Sequence, residues 1–262
     1  MRPSHQRDDN TASREAGITP SIGGRVFLQR IESSMPLQLY IGNKNYSSWS
    51  MRPWVALRHF GIPFEEVKLR FDSFDDDSQF KQALARVSPA GTVPVLVDEG
   101  FSVWDTLAIA EYLAEKFPQH ALWPRAPHAR ARARSLCAEM HAGFRALRGA
   151  CGMNIEASMP EVGQRVLAEQ PGVRADLDRL VEAWQDALAT SGGPFLFGEF
   201  SLADAFFVPV ISRTRTYGLP LPPAAAAWAE RVWATEGVQA WVADALAEKD
   251  FLAFEEPYRQ AR

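Results

Sequence analysis

Val93-Pro94-Val95-Leu96-Val97-Asp98-Glu99-Gly100-Phe101-Ser102-Val103-Trp104-Asp105-Thr106-Leu107-Ala108-Ile109-Ala110-Glu111-Tyr112-Leu113 is the stretch on which the fold turns. Val93 to Asp98 and Phe101 to Trp104 are short apolar runs separated by Glu99-Gly100, which reads as a β-hairpin. At Thr106 the period changes. Leu107, Ile109, Ala110, Leu113 and Phe117 recur at helical spacing, so a helix over Thr106 to Phe117 follows the hairpin directly.

Upstream, Leu37 to Ile41 alternates as a strand does and is broken by Gly42-Asn43-Lys44-Asn45. Trp54, Val55, Leu57 and Phe60 predict a helix from Met51 to Phe60, stopped by Gly61-Ile62-Pro63. Pro53 then falls in the first turn, where its missing N–H costs no intrahelical bond. Phe64 to Phe71 reads as a second strand and Ser78 to Val87 as a short helix ending before Ser88-Pro89-Ala90-Gly91. The resulting order, β-α-β-α-β-β-α, is that of a thioredoxin-like domain.

Downstream, Pro118, Pro124 and Pro127 mark a linker, and beyond it the strand signals stop. Apolar positions recur at three and four residues through Leu136-Met140-Phe144-Leu147 and Leu177-Leu180-Val181-Trp184-Leu188, the pattern of a helix bundle. Ser201 and Asp204 have the spacing of a capping box ahead of a helix that is apolar nearly all round, with Pro209 expected to kink it. The fold class is therefore α+β with two domains. Residues 35–117 form the thioredoxin-like domain, 118–127 the linker and 128–262 an all-helical domain.

Residues 1–34 have little periodic apolar content and read as a flexible tail, or an extension ahead of a natural start at Met35. Asp8, Asp9, Glu15 and Glu32 count against a transit peptide. Deleting 1–34 is expected to leave the melting temperature nearly unchanged; a large drop on thermal denaturation would contradict that reading.

Over 262 residues the net charge is −4, which favours neither nucleic acid nor an anionic membrane as partner. No apolar run approaches the roughly 20 residues of a membrane helix. Cys137 and Cys151 form no C-x-x-C pair, so a reducing, cytoplasmic setting is expected without a disulfide framework. His120, His128 and His141 show no ligand spacing, and no metal is expected. The basic run Arg130-Ala131-Arg132-Ala133-Arg134 reads as a solvated face.

Three segments then point to one chemistry, and together they resemble the cytosolic glutathione transferase superfamily over residues 37 to 250, most of all zeta-class-like bacterial members. Tyr46-Ser47-Ser48-Trp49-Ser50-Met51-Arg52-Pro53-Trp54 resembles the zeta active-site segment, with Trp49 where that class has a cysteine. Ser88-Pro89-Ala90-Gly91-Thr92-Val93-Pro94-Val95-Leu96 is similar to the family's N-P-x-x-x-V-P-x-L, whose proline is normally cis. Trp104 to Leu113 is similar to its E-S-x-A-I-x-x-Y-L.

The resemblance implies glutathione as co-substrate. It implies Ser47 as the catalytic hydroxyl, with Ser48 secondary and Arg52 an electrostatic helper, because a thiolate is favoured by a hydroxyl donor and a helix N terminus. It also implies that the backbone of Val93, turned outward before Pro94, pairs with the cysteinyl part of glutathione, and that Asp105 and Thr106 hold the γ-glutamyl end. Thr92 stands where many relatives have a lysine or glutamine. Met140, Phe144, Arg213, Arg215 and Tyr217 are the candidates for the second substrate, and Thr216 falls where zeta members place an arginine for substrate carboxylates. The expected activity is attack of the thiolate on a small electrophile. The alternatives are a maleylacetoacetate-type cis–trans isomerase and a non-catalytic glutathione-binding module; a homodimer is implied in each case.

Overall fold

The computed structural model describes residues 36–262. The reading of residues 1–34 as a tail therefore lies outside the described residues. β1 (Leu37–Ile41) pairs in parallel with β2 (Phe64–Lys68) and antiparallel with β3 (Val95–Asp98), which turns at Glu99 and Gly100 into β4 (Phe101–Val103). The sheet order is β2-β1-β3-β4. Between the strands lie α1 (Ser48–His59) and α2 (Gln79–Leu84), and α3 (Thr106–Lys116) leaves β4 directly.

α1 is the element that joins the two halves. Met51, Trp54, Val55, Ala56 and Leu57 are completely buried, since the helix has the sheet on one side and helices on the other. It begins at Ser48, three residues before the apolar period does, because a turn precedes it: Ser47 N–H donates to Asn43 O and Ser48 N–H to Tyr46 O. Pro53 consequently sits in the second turn, not the first, and leaves the Trp49 carbonyl without its helical donor. β2 also ends earlier than its apolar pattern, at Lys68.

The second half is helical: α4 (Pro127–Ala142), α5 (Arg145–Ala150), α6 (Pro160–Glu169), α7 (Pro171–Ser191), α8 (Leu202–Thr216), α9 (Pro223–Trp233) and α10 (Glu236–Glu248). The run Leu136-Met140-Phe144-Leu147 is not one helix. It breaks at Gly143 and at Phe144, whose φ of +56° is left-handed, and α5 starts in a new direction. Cys137 and Cys151 thus lie on different segments; both are buried free thiols. Arg132 and Arg134 of the basic run are exposed and Arg130 half-buried, with Arg134 paired to Glu111 at 2.6 Å.

α8 runs through the core. Ser201 Oγ accepts from Ala203 N–H at 3.2 Å and Asp204 Oδ2 accepts from Ser201 N–H at 2.9 Å, completing the capping box. Asp204 does more than cap. Its Oδ1 also accepts from Leu196 N–H (3.1 Å) and from the indole N–H of Trp228 (2.9 Å), tying the loop before α8 to α9.

Two further ties hold the helical half on the sheet. Buried Lys44 donates to Glu66 (2.7 Å) and Asp244 (2.5 Å) and stands 4.4 Å above the Trp54 ring. At the chain's end, Tyr46 O–H donates to Glu256 (2.7 Å), which Asn154 and Arg259 also reach.

Candidate active site

A cleft of about 920 Å³ opens where the C-terminal ends of β1 and the β3 approach face α4, α5 and α8. One wall is built from the three segments singled out in the sequence. Tyr46 to Trp49 come from the start of α1, Gly91 to Pro94 from the approach to β3, and Asp105 and Thr106 from the start of α3. Each segment lies at an element's end, where backbone groups are not yet committed to a neighbour.

Ser47 is the N-cap of α1, yet its hydroxyl makes no capping bond. Its Oγ lies 2.7 Å from Ser50 Oγ, which in turn accepts from Gly42 N–H at 3.3 Å. The Trp49 and Ser50 N–H groups have no partner among the described residues, the first intrahelical donor of α1 being Met51. Ser48 lines the cleft beside Ser47, and its hydroxyl, unlike that of Ser47, has no hydrogen-bond partner among the described residues. The arrangement offers hydroxyl and amide donors at the positive end of a helix, the environment that holds a thiolate.

The Val93–Pro94 bond is cis. Neither the N–H nor the C=O of Val93 has a hydrogen-bond partner among the described residues, although the residue borders the cleft. Lys81 of α2 donates to Gly91 O at 2.8 Å and also lines this end. At α3, Asp105 Oδ1 caps Leu107 N–H (3.1 Å) while Oδ2 sits 3.1 Å from His141 Nε2. Thr106 is buried, and its Oγ1 has no partner. A buried hydroxyl without a partner is costly unless a ligand completes it.

The opposite wall differs from the expected list. Arg213 lines the cleft, with Nε donating to Cys151 O at 2.8 Å. The other four second-substrate candidates do not line it. Met140 and Tyr217 are spent in the core, and Phe144 is buried at the α4–α5 break. Arg215 points outward to Glu230 and the Trp233 ring. Thr216 Oγ1 is tied to the Asn154 carbonyl at 2.7 Å. In their place stand His141, Arg145, Arg148, Met153 and Glu255. Their signal was hidden, because only the break at Gly143-Phe144 turns Arg145 and Arg148 toward the cleft.

Arg52 does not line the cleft but lies behind it, with its guanidinium 4.1 Å from the Trp49 ring centroid. It is 1% exposed, and its Nε and Nη1 have no hydrogen-bond partner. Burial, then the charges of Arg213 and Arg148, push its pKa down to about 9, so it remains a cation near neutrality. Burial pushes Cys151 up to about 11 and Cys137 well above its usual range, so neither is a thiolate there. Among the described residues no group of three or more His, Cys, Asp or Glu side chains could hold a metal, and no helix is long and apolar enough to cross a membrane.

Residues 46–116 match the family pattern described as Glutathione S-transferase, N-terminal domain, and residues 127–231 match Glutathione S-transferase, C-terminal domain. The chain belongs to the glutathione S-transferase family. Among its relatives, a maleylacetoacetate isomerase from Rattus norvegicus is 27% identical over 186 residues, 71% of this chain and 81% of the relative. A zeta-class glutathione S-transferase from Euphorbia esula is 29% identical over 168 residues, 63% and 71% of the two chains. A glutathione transferase homologue from Burkholderia, solved with bound glutathione, is 26% identical, superposes with a TM-score of 0.62, and is matched over 81% of this chain and 99% of its own. Two domains in this order, a four-stranded mixed sheet with its helices followed by a helical domain, are the glutathione S-transferase architecture, so the α+β reading of the sequence holds.

Proposed function

We propose that the protein is a glutathione transferase in which Ser47 holds the glutathione thiolate for attack on a small electrophile. The observation that carries this is the convergence on one cleft wall of free donors and acceptors suited to each part of the tripeptide. In this reading the Val93 N–H and C=O pair with the cysteinyl residue as a strand would. The α3 N terminus with the unpartnered Thr106 hydroxyl takes the γ-glutamyl carboxylate, while Asp105 takes the ammonium. Lys81, rather than Thr92, supplies a cation toward the glycyl end. The sulfur then lies over the start of α1. Ser50 donates to Ser47, and Ser47 to the sulfur, since hydroxyl protons rotate to suit the acceptor.

Asp105→Ala combined with Thr106→Ala is expected to weaken glutathione binding by about tenfold or more, the worth of a charge-assisted hydrogen bond. Calorimetric titration checks it, with the melting temperature as control because the Asp105 cap contributes about 1 kcal/mol to α3. Unchanged affinity in the folded variant would place the peptide elsewhere.

The isomerase reading is kept because two observations favour it: the rat relative's name and the arginines of the second wall. In that reaction the thiolate adds to a conjugated double bond, the resulting single bond rotates, and elimination returns glutathione. Glutathione consumption distinguishes the two: a transferase uses it stoichiometrically, an isomerase does not.

A homodimer in a reducing, cytoplasmic setting belongs to the same proposal. β4 and the start of α3 leave Phe101 65% and Trp104 41% exposed, which suits a covered face. Sedimentation at micromolar concentration is expected to give twice the chain mass; a strict monomer would contradict it.

A further inference from the structure

Asp105 and Glu255 are the two carboxylates among the described residues that border the cleft. Asp105 is engaged twice, by Leu107 N–H at Oδ1 and by His141 Nε2 at Oδ2. The Glu255 carboxylate has neither a hydrogen-bond nor an ion-pair partner among the described residues. The other groups that could carry a proton across the cleft are engaged as well. Tyr46 O–H donates to Glu256, and burial followed by that bond pushes its pKa up to about 12. His141 turns Nε2 to Asp105, and its Nδ1 is buried away from the cleft. Lys81 and the three arginines are cations.

The chain fixes Glu255 from both sides. The residue ends a short 3₁₀ turn, Ala253–Glu255, on the segment after α10. Leu252, ahead of the turn, is buried in one cluster with Tyr46 and Phe71, and Phe254 packs edge-on against Phe74 at 5.2 Å between ring centroids. Behind the turn, the Glu256 carboxylate accepts from Tyr46 O–H (2.7 Å), Asn154 Nδ2 (2.8 Å) and Arg259 Nη2 (2.5 Å). Tyr258 O–H adds a bond to the Ala150 carbonyl at 2.8 Å. Glu256 is thus tied to the residue next to Ser47, and Glu255 is left facing the cleft. Two charged groups act on it: Arg213 of α8 and Glu256 of its own segment. Burial raises its pKa, with Glu256 adding to the effect and Arg213 opposing it, which suits a group that both accepts and returns a proton. The segment lies past residue 231, where the family pattern ends, so it belongs to this chain's own tail.

We propose that Glu255 is a catalytic residue, the proton donor for addition of glutathione across the double bond of a conjugated carbonyl compound. The inference rests on the reading that glutathione lies on the opposite wall with its sulfur over the start of α1. In this step the thiol S–H bond breaks and its proton passes to the Glu255 carboxylate. The thiolate forms a bond to the β-carbon, the carbon–carbon π pair moves toward the carbonyl, and an enolate results. Glu255 then gives its proton to the α-carbon and is a carboxylate again. The sum is thiol plus enone giving one thioether, with no oxidant, reductant or leaving group. Displacement of chloride from an aryl halide needs no such proton, since the chloride departs with the electron pair.

The test compares kcat of the full chain, saturated with glutathione, on benzylideneacetone and on chlorodinitrobenzene. Glu255→Gln is expected to lower the ratio of the first rate to the second about a hundredfold, the lower end of what a positioned proton donor contributes. Glu255→Asp, which keeps the carboxyl group, should restore part of that ratio. Neither change removes a side-chain hydrogen bond of the protein, and the turn that carries Glu255 keeps its anchors at Glu256 and Tyr258. An unchanged ratio in Glu255→Gln would overturn the inference. So would an equal fall on both substrates, which would make the residue part of the scaffold. A wild-type protein that turns over the aryl halide but not the enone would overturn it too, while leaving the transferase reading intact. Failure of the wild-type protein to bind glutathione in calorimetric titration would remove that reading, and the inference with it.

Discussion

Ser47→Ala is expected to lower kcat about ten- to hundredfold, the effect of losing one hydrogen bond to a charged sulfur. Glutathione affinity should change little, because in the proposed binding mode Val93, Asp105 and Thr106 would meet parts of the peptide remote from the thiol. The side chain is 5% exposed and makes no capping bond, so its removal costs α1 only the hydrogen bond to Ser50 Oγ. Ser50→Ala is expected to produce a smaller drop. Ser50 does not line the cleft, but it sits between Gly42 N–H and Ser47 Oγ and orients the hydroxyl that does. Steady-state kinetics with saturating glutathione checks both. A larger loss in Ser48→Ala than in Ser47→Ala would move the assignment by one residue.

Asp204→Ala should be the most destabilising single change outside the cleft, by about 3–5 kcal/mol. The carboxylate is completely buried and accepts from Leu196 N–H, Ser201 N–H, Ser201 O–H and the Trp228 indole, all of which would be left without an acceptor. Denaturant unfolding measures the loss; a change under about 1 kcal/mol would contradict the assigned role. The group also carries a pH signature. Burial pushes its pKa up to about 6, against about 3.9 in an unfolded chain. The folded state therefore binds the proton more tightly. The stability this group contributes is greatest below about pH 4 and falls as pH rises through 6, a slope that Asp204→Asn should remove.

Much of this architecture is legible in the sequence because its signals are local. Strand alternation in Leu37–Ile41, the turn at Glu99-Gly100, and the caps at Asp105 and Ser201 each need only a few neighbouring residues to be read. The first wall of the cleft is legible for the same reason, being three such local ends. What the sequence hides depends on packing between distant segments. The apolar period runs through Phe144 without interruption, yet the chain breaks there, and the break is what turns Arg145 and Arg148 into the cleft. Glu255 arrives from the far end of the chain, held by the contacts of Tyr46 and Asn154 with Glu256. Pro53 misled in the other direction. It suggested a helix start, whereas the Asn43 to Ser48 turn had already begun the helix a turn earlier.

In the proposed function, glutathione bound in this cleft would be held as a thiolate near neutral pH by Ser47 and the start of α1. Ultraviolet titration of the thiolate in the binary complex tests it most directly, in the wild-type protein and in Ser47→Ala. The bound thiol is expected to ionise about two units below the ordinary thiol value of about 8.5, and the curve to move up toward that value in Ser47→Ala. A bound thiol that titrates like free glutathione, or a Ser47→Ala curve that superimposes on the wild-type one, would contradict it.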